Sequence, residues 1–134
     1  MKKTRRQIAR EKAAIGIYQY LLVDASLEDI EEYILNDETV KESEETYQFC
    51  KELIDTTILH LPQYQEEIKK LLKKGWTLQR LSYMEQAILL IATCELLDMD
   101  QEKTIAINEA VLLAKEYCDD DSYKFINGVL HSII

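Results

Sequence analysis

The sequence predicts an all-α protein of about seven helices, packed as two antiparallel helical subdomains over roughly 1–75 and 76–134. Three observations carry that expectation. Apolar residues recur every three or four positions through most of the chain. Only three Gly and one Pro occur in 134 residues, too few for a turn-rich β-sandwich or barrel. No segment shows strand-like alternation. At 47% apolar residues, the chain is ordered and long enough to bury a core, and its length fits one domain.

The first helix is expected over about Arg5 to Leu22, with Ala9, Ala13, Ile17, Tyr18 and Leu21 inward. Ser26 caps a short second helix carrying Leu27, Ile30, Ile34 and Leu35. Asn36 to Glu42 is polar and reads as a loop. A third helix runs from Glu44 to Leu61, with Tyr47, Cys50, Leu53, Ile54, Thr57 and Ile58 inside, and Pro62 ends or bends it. Tyr64 to Lys73 forms the fourth. Lys69, Lys70, Lys73 and Lys74 crowd its last turns, where the helix dipole favours cations, and Gly75 fits the C-cap. That is a sufficient structural reason for this second basic cluster.

Trp76 to Leu81 is a connector. Ser82-Tyr83-Met84-Glu85 is a capping box that opens a fifth helix, apolar nearly all round and therefore central. The sixth helix offers Ile105, Ala106, Ala110, Val111, Leu113, Ala114 and Tyr117 as its inner stripe. After the elbow Asp119-Asp120-Asp121, which caps the next helix, Phe125, Ile126, Val129, Leu130 and Ile133 share one side of the seventh.

The net charge of −9 argues against nucleic acid as a partner for the chain as a whole. Its distribution argues otherwise. Residues 1–12 carry Lys2, Lys3, Arg5, Arg6, Arg10 and Lys12 against Glu11, a net +5, leaving −14 on the rest. A basic patch on an acidic body suits a protein that binds polyanion at one place and repels it elsewhere. Arg6 and Arg10, four apart, share a helix face. Cations at a helix start oppose the macrodipole by about 0.3–1 kcal/mol each, so stability does not call for them there. The plainer alternative is a solvated basic tail.

No phosphate loop, metal-ligand spacing or nucleophile–histidine motif is present, so no catalytic residue, metal or cofactor is assigned. Glu85, Glu95 and Glu109 lack a second carboxylate beside them by motif and read as salt-bridge or partner contacts. Cys50, Cys94 and Cys118 are far apart and read as small packing residues. No apolar run is long enough to span a bilayer and no signal core follows the basic start, so the expected compartment is the cytoplasm.

Asn108 reads as a polar link between the last two helices, whereas Asn127 follows Tyr123 and Lys124 by one turn and can share a surface with them. Tyr123-Lys124-Phe125 cannot all be buried on a helix. Exposed aromatics beside cations suit single-stranded RNA, whose bases stack on them. The alternative is that Phe125 joins Val129 in the core.

Several stretches carry a resemblance over nearly the whole chain. They are Arg6, Arg10-Glu11, Ala13 and Tyr18; Glu85-Gln86-Ala87-Ile88-Leu89 with Glu95-Leu96; Ala106-Ile107-Asn108-Glu109-Ala110 with Leu113-Ala114-Lys115; and Ser122 with Lys124-Phe125-Ile126-Asn127-Gly128-Val129-Leu130. In combination and order they resemble the NusB family of bacterial transcription antitermination factors. The resemblance implies an all-α adaptor that pairs with the ribosomal protein NusE, binds boxA-type RNA in nascent ribosomal RNA transcripts, and acts indirectly on the RNA polymerase elongation complex. It implies RNA contacts from Lys2, Lys3, Arg5, Arg6 and Arg10, with Tyr123, Lys124, Phe125 and Asn127 near the bases, and a NusE side at Tyr18 and Glu85. It leaves open a monomer or a weak homodimer.

Gln86 and Leu90 stand where many relatives carry basic residues, Cys94 where an aromatic is usual, and Glu102 where Pro is frequent. Two charges fewer on that helix would shift the electrostatic task to residues 2–12. About five phosphate contacts would give a log–log salt slope near −3.5 for a single strand. Two other readings remain at this stage. One is a helical regulatory protein that never touches RNA. The other is a piece resembling the front domain of a ribosomal RNA cytosine methyltransferase, which the absence of a cofactor-binding α/β region disfavours.

Overall fold

Helix α1 (Arg5–Val23) is the axis of the fold, packing against α4 (Glu44–Leu59) on one side and α6 (Tyr83–Asp98) on the other. The computed structural model describes residues 2–133 and holds eight α-helices among them, with no strand. The remaining helices are α2 (Leu27–Leu35), α3 (Glu38–Glu42), α5 (Leu61–Lys69), α7 (Lys103–Tyr117) and α8 (Ser122–His131). One continuous apolar cluster runs from Ala9 and Ile17 through Leu53 and Ile88 to Ile126 and Leu130, joining the two halves of the chain.

Thr4 starts α1. Its Oγ1 accepts from the Gln7 N–H at 3.1 Å, and Gln7 Oε1 accepts from the Thr4 N–H at 2.9 Å, a reciprocal cap. The inner face is made of small residues, Ala9, Ala13, Ala14 and Gly16, with Ile17. Small residues let neighbouring helices approach. At Gly16 the approach is extreme, because an added Cβ would lie 2.9 Å from Ile30 Cγ2 and 3.3 Å from Ile54 Cδ1. A mid-helix Gly→Ala change normally gains up to about 1 kcal/mol, but overpacking here costs about 1–3 kcal/mol. Gly16→Ala should therefore lower the urea midpoint; an unchanged or raised midpoint would show that α2 yields freely.

Four local features differ from the sequence expectation. Asn36 to Glu42 is not a plain loop: Asp37 Oδ1 accepts from the Val40 N–H at 3.1 Å, capping α3, and Val40 is fully buried. Helix α4 ends at Leu59 rather than Leu61, and Pro62 follows two residues after its C-cap His60, so the helix ends before Pro62 as expected instead of bending at it. Pro62 sits in the first turn of α5, where its missing N–H leaves no gap in the ladder. Helix α5 stops at Lys69 rather than Lys73, so Gly75, at φ 89°, shapes the following turn instead of capping the helix. Asp121 occupies the N-cap position of α8, but its side chain makes no cap hydrogen bond.

Ser82 opens α6 with both capping-box bonds, to the Glu85 N–H at 3.1 Å and from its own N–H to Glu85 Oε1 at 2.9 Å. From Gln86 to Glu95 every residue of α6 is buried, as its all-round apolarity predicts. The buried Gln86 amide is satisfied by the Leu81 carbonyl at 3.0 Å. Gln86 and Leu90 face the interior, so their lack of charge does not subtract from the basic surface, contrary to the sequence argument.

Helix α7 is rotated from its expected setting. Ala106, Ile107, Ala110, Leu113 and Ala114 are buried, while Ile105 and Tyr117 are exposed. Asn108 is exposed too and is not an internal link between the last helices. Cys50 and Cys94 are buried and Cys118 half-buried, all with free thiols. Burial pushes the Cys50 thiol up to about 12.

Candidate nucleic-acid interface

The first two turns of α1 sort the basic cluster into two groups. Lys2 and Arg5 are exposed and make no ion pair among the described residues. Arg6 is half-exposed. Its guanidinium lies 4.0 Å from the Phe49 ring centroid and only reaches Glu45 at 4.0 Å. Phe49, which sequence reasoning passed over, is thus a platform that orients an outward cation. Its spacing of four from Leu53 on α4 is the signal that would have marked it as an inner residue.

The other cations are held by the fold. Lys3 Nζ lies 2.6 Å from Glu11 and 2.8 Å from Glu116, which pins the chain start to α7. Glu11 also accepts a hydrogen bond from the Tyr117 hydroxyl. Burial alone would raise the Glu11 carboxyl, but the hydrogen bonds from Lys3 and Tyr117 outweigh it and hold it below the usual carboxylate range. Lys12 donates to the Tyr33 hydroxyl at 3.3 Å and lies 3.7 Å from Asp37.

Arg10 departs most from expectation. It is 4% exposed, and its Nε and Nη2 donate to Glu95 at 2.9–3.1 Å, with Gln101 at 3.4 Å. A guanidinium so placed neutralises a buried carboxylate and does not face an external phosphate. The expected phosphate contact at Arg10 is therefore withdrawn. Glu95 is a salt-bridge partner, as the sequence suggests, but an internal one.

At the other candidate face, Lys124 and Asn127 are exposed, while Tyr123 and Phe125 are partly buried against the core. Tyr123 is flanked by two ammonium groups, Lys115 at 4.7 Å and Lys124 at 6.0 Å from its ring centroid. Lys115 was not identified from sequence, where it is one cation on an ordinary helix. It adjoins Glu116, the residue that receives Lys3. The basic start and the α8 aromatic face thus share an anchor in the last turn of α7. Asp121 lies 3.6 Å from Lys124 and offsets part of its charge.

Tyr18 and Glu85, on different helices, line one open depression of about 480 Å3 together with Tyr83, Met84 and Tyr117. Glu85 also accepts from Ser122 Oγ at 2.8 Å, tying α6 to the start of α8. The expected partner side and the aromatic–basic face therefore meet at one hydrogen bond.

Comparison with known proteins places the chain in a family. A family model described as NusB family covers residues 7–134. A transcription antitermination protein NusB of Pediococcus pentosaceus is 38% identical over 133 residues, spanning 99% of this chain and 98% of that protein. The NusB of Wolinella succinogenes is 37% identical over 125 residues, spanning 93% and 90%. Among solved structures, Thermotoga maritima NusB superposes with a TM-score of 0.85 at 32% identity, covering 99% of this chain and 92% of that one. Antitermination factor NusB in a crystal structure with NusE and double-stranded RNA gives a TM-score of 0.82 at 28% identity, covering 96% and 95%. Matched along nearly its whole length in sequence and in fold, the chain belongs to the NusB family.

Proposed function

We propose that this protein is an RNA-binding transcription antitermination factor, a non-enzymatic adaptor that joins NusE on boxA-type RNA and opposes premature termination by RNA polymerase in the cytoplasm. The observation that carries the reading is the exposed cationic start of α1. Lys2, Arg5 and Arg6 face solvent on a body whose net charge is −9, with a single long ion pair for the three among the described residues. A protein needing those charges only for its own stability would pair them or place them at a helix C-terminus.

In this reading Lys2, Arg5 and Arg6 take phosphates, and Lys3 fixes the arm rather than binding RNA directly. Tyr123, Lys124, Phe125 and Asn127 meet the bases, and the Tyr18–Glu85 depression receives NusE. The relative solved in complex with NusE and double-stranded RNA supports the pairing of these two kinds of partner. The acidic elbow next to Lys124 lowers affinity for RNA in the absence of NusE.

The test is co-purification with NusE, followed by titration of boxA and scrambled RNA. The complex should bind boxA more tightly than the scrambled sequence, and the chain alone should bind both weakly. Equal affinity of the complex for the two RNAs would sink the reading.

A further inference from the structure

We propose that the last turn of α7 is a latch that keeps Lys3 from RNA until the Tyr18–Glu85 depression is filled, with Tyr117 as the positioning residue that joins the depression to the basic arm. The proposal rests on the partner-and-RNA reading above and goes beyond it by giving Lys3 a second state.

Three consecutive residues of that turn hold three different parts of the molecule. Lys115 lies 4.7 Å from the ring centroid of Tyr123 on α8. Glu116 meets Lys3 Nζ at 2.8 Å. The Tyr117 hydroxyl donates to Glu11 Oε2, the same oxygen that lies 2.6 Å from Lys3 Nζ. Lys3 is thus gripped between a carboxylate of α1 and a carboxylate of α7, and Tyr117 fixes the first of them. A lysine carries its three donors on one flexible stem, so it swings to another anion once its acceptors move apart. Arg10 has no such freedom, because Glu95 holds its planar guanidinium in the interior.

This seam is built to part. Helix α7 packs against α6 and α8. Its bridges to α1 are polar: Gln7 Nε2 donates to Glu109 Oε1 at 3.3 Å, Lys3 Nζ to Glu116, and the Tyr117 hydroxyl to Glu11. Lys3, Gln7, Glu109 and Glu116 also border a cleft of about 310 Å3 between the start of α1 and α7. Exposed ion pairs contribute little, and regions joined by few apolar contacts open locally at a small fraction of the energy of global unfolding.

The depression reaches the same turn. Tyr117, Cys118 and Asp119 line it together with Tyr18 and Glu85. Tyr117 is 39% exposed, so a partner seated there meets its ring directly. A ligand shifts an equilibrium only by touching its two states differently. Tyr117 supplies that difference, since a ring drawn toward the partner carries its hydroxyl off Glu11. Released, Lys3 joins Lys2, Arg5 and Arg6 as a fourth phosphate contact.

The test measures RNA affinity across a range of salt for wild type, Lys3→Met, Tyr117→Phe and the double variant, each alone and with NusE. For the chain alone, Lys3→Met should leave the log–log slope unchanged. In the NusE complex it should flatten the slope by about 0.7, one phosphate contact. Tyr117→Phe keeps the ring in the depression but removes the hydroxyl that fixes Glu11. In that background Lys3→Met should flatten the slope by about 0.7 without NusE as well. Comparing pairs that differ only at Lys3 cancels the contacts NusE itself makes with RNA. Helical spectra of all variants should match that of the wild type.

Equal flattening by Lys3→Met with and without NusE overturns the latch, because Lys3 is then free at all times. No flattening in either state also overturns it and leaves Lys3 a structural anchor. Both outcomes leave RNA and NusE binding by the wild type, and so the parent reading, standing. If Lys3→Met in the Tyr117→Phe background still acts only with NusE, the role assigned to Tyr117 is overturned. A wild-type chain that binds no NusE, or no RNA even with NusE, overturns the latch and the parent reading together.

Discussion

Glu95→Leu should destabilise the protein by about 3–5 kcal/mol, a large share of a typical domain's total stability. The carboxylate is buried, and it is held by Nε and Nη2 of an equally buried Arg10. Removing it leaves a guanidinium in the interior with only Gln101, at 3.4 Å, as a side-chain acceptor. The cost comes from that stranded charge rather than from the lost attraction, because desolvation offsets most of what an intact buried pair contributes. Arg10→Met combined with Glu95→Leu should therefore recover most of the loss. Urea midpoints at constant m-value read both results. The double variant should also keep its RNA affinity, since Arg10 faces inward. A folded double variant with severalfold weaker RNA binding would show that Arg10 leaves Glu95 to meet the RNA.

Arg10 also marks where sequence reasoning stops. Lys2, Arg5, Arg6 and Arg10 look alike in a basic N-terminal segment. Only Arg10 faces Glu95, a residue 85 positions away whose own helix gives no sign that its one buried carboxylate needs a cation. The local signals held where local physics decides: the Ser82 capping box, the all-round burial of α6 and the incomplete burial of the Tyr123-Lys124-Phe125 triplet. They failed where the fold chooses among equals. Helix α7 has apolar side chains at 105–107 and 110–114, more than one face can hold, and packing selected Ile107 over Ile105. Segment 36–42 is polar enough for a loop, yet one cap at Asp37 and one buried side chain at Val40 make it a helix. Tyr18 and Glu85 are unremarkable on their own helices, and the crossing of α1 with α6 gives them a common depression.

Arg5→Ala with Arg6→Ala should produce the largest loss of RNA binding of any pair on this surface, and its salt dependence will identify the cause. With Lys3, Arg10 and Lys12 committed to internal partners, Lys2, Arg5 and Arg6 remain as arm contacts. Three phosphates predict a log–log salt slope of about −2, shallower than the −3.5 that five cations would give. The double variant should flatten the slope by about 1.4. Its stability should hardly change, because Arg5 makes no ion pair among the described residues and Arg6 has only a surface contact to Glu45 and the Phe49 ring. NusE binding by this variant should equal that of the wild type. Tyr18→Ala should do the reverse, weakening NusE while leaving the RNA slope of the chain alone intact. These opposite outcomes follow from geometry: the exposed arginines sit in the first turn of α1, and Tyr18 lies more than three turns further along it. If Arg5→Ala with Arg6→Ala reduced NusE binding as much as RNA binding, the two ligands would share one surface. The slope of the complex would then count contacts from both proteins, and the division of α1 into an RNA end and a partner end would have to be abandoned.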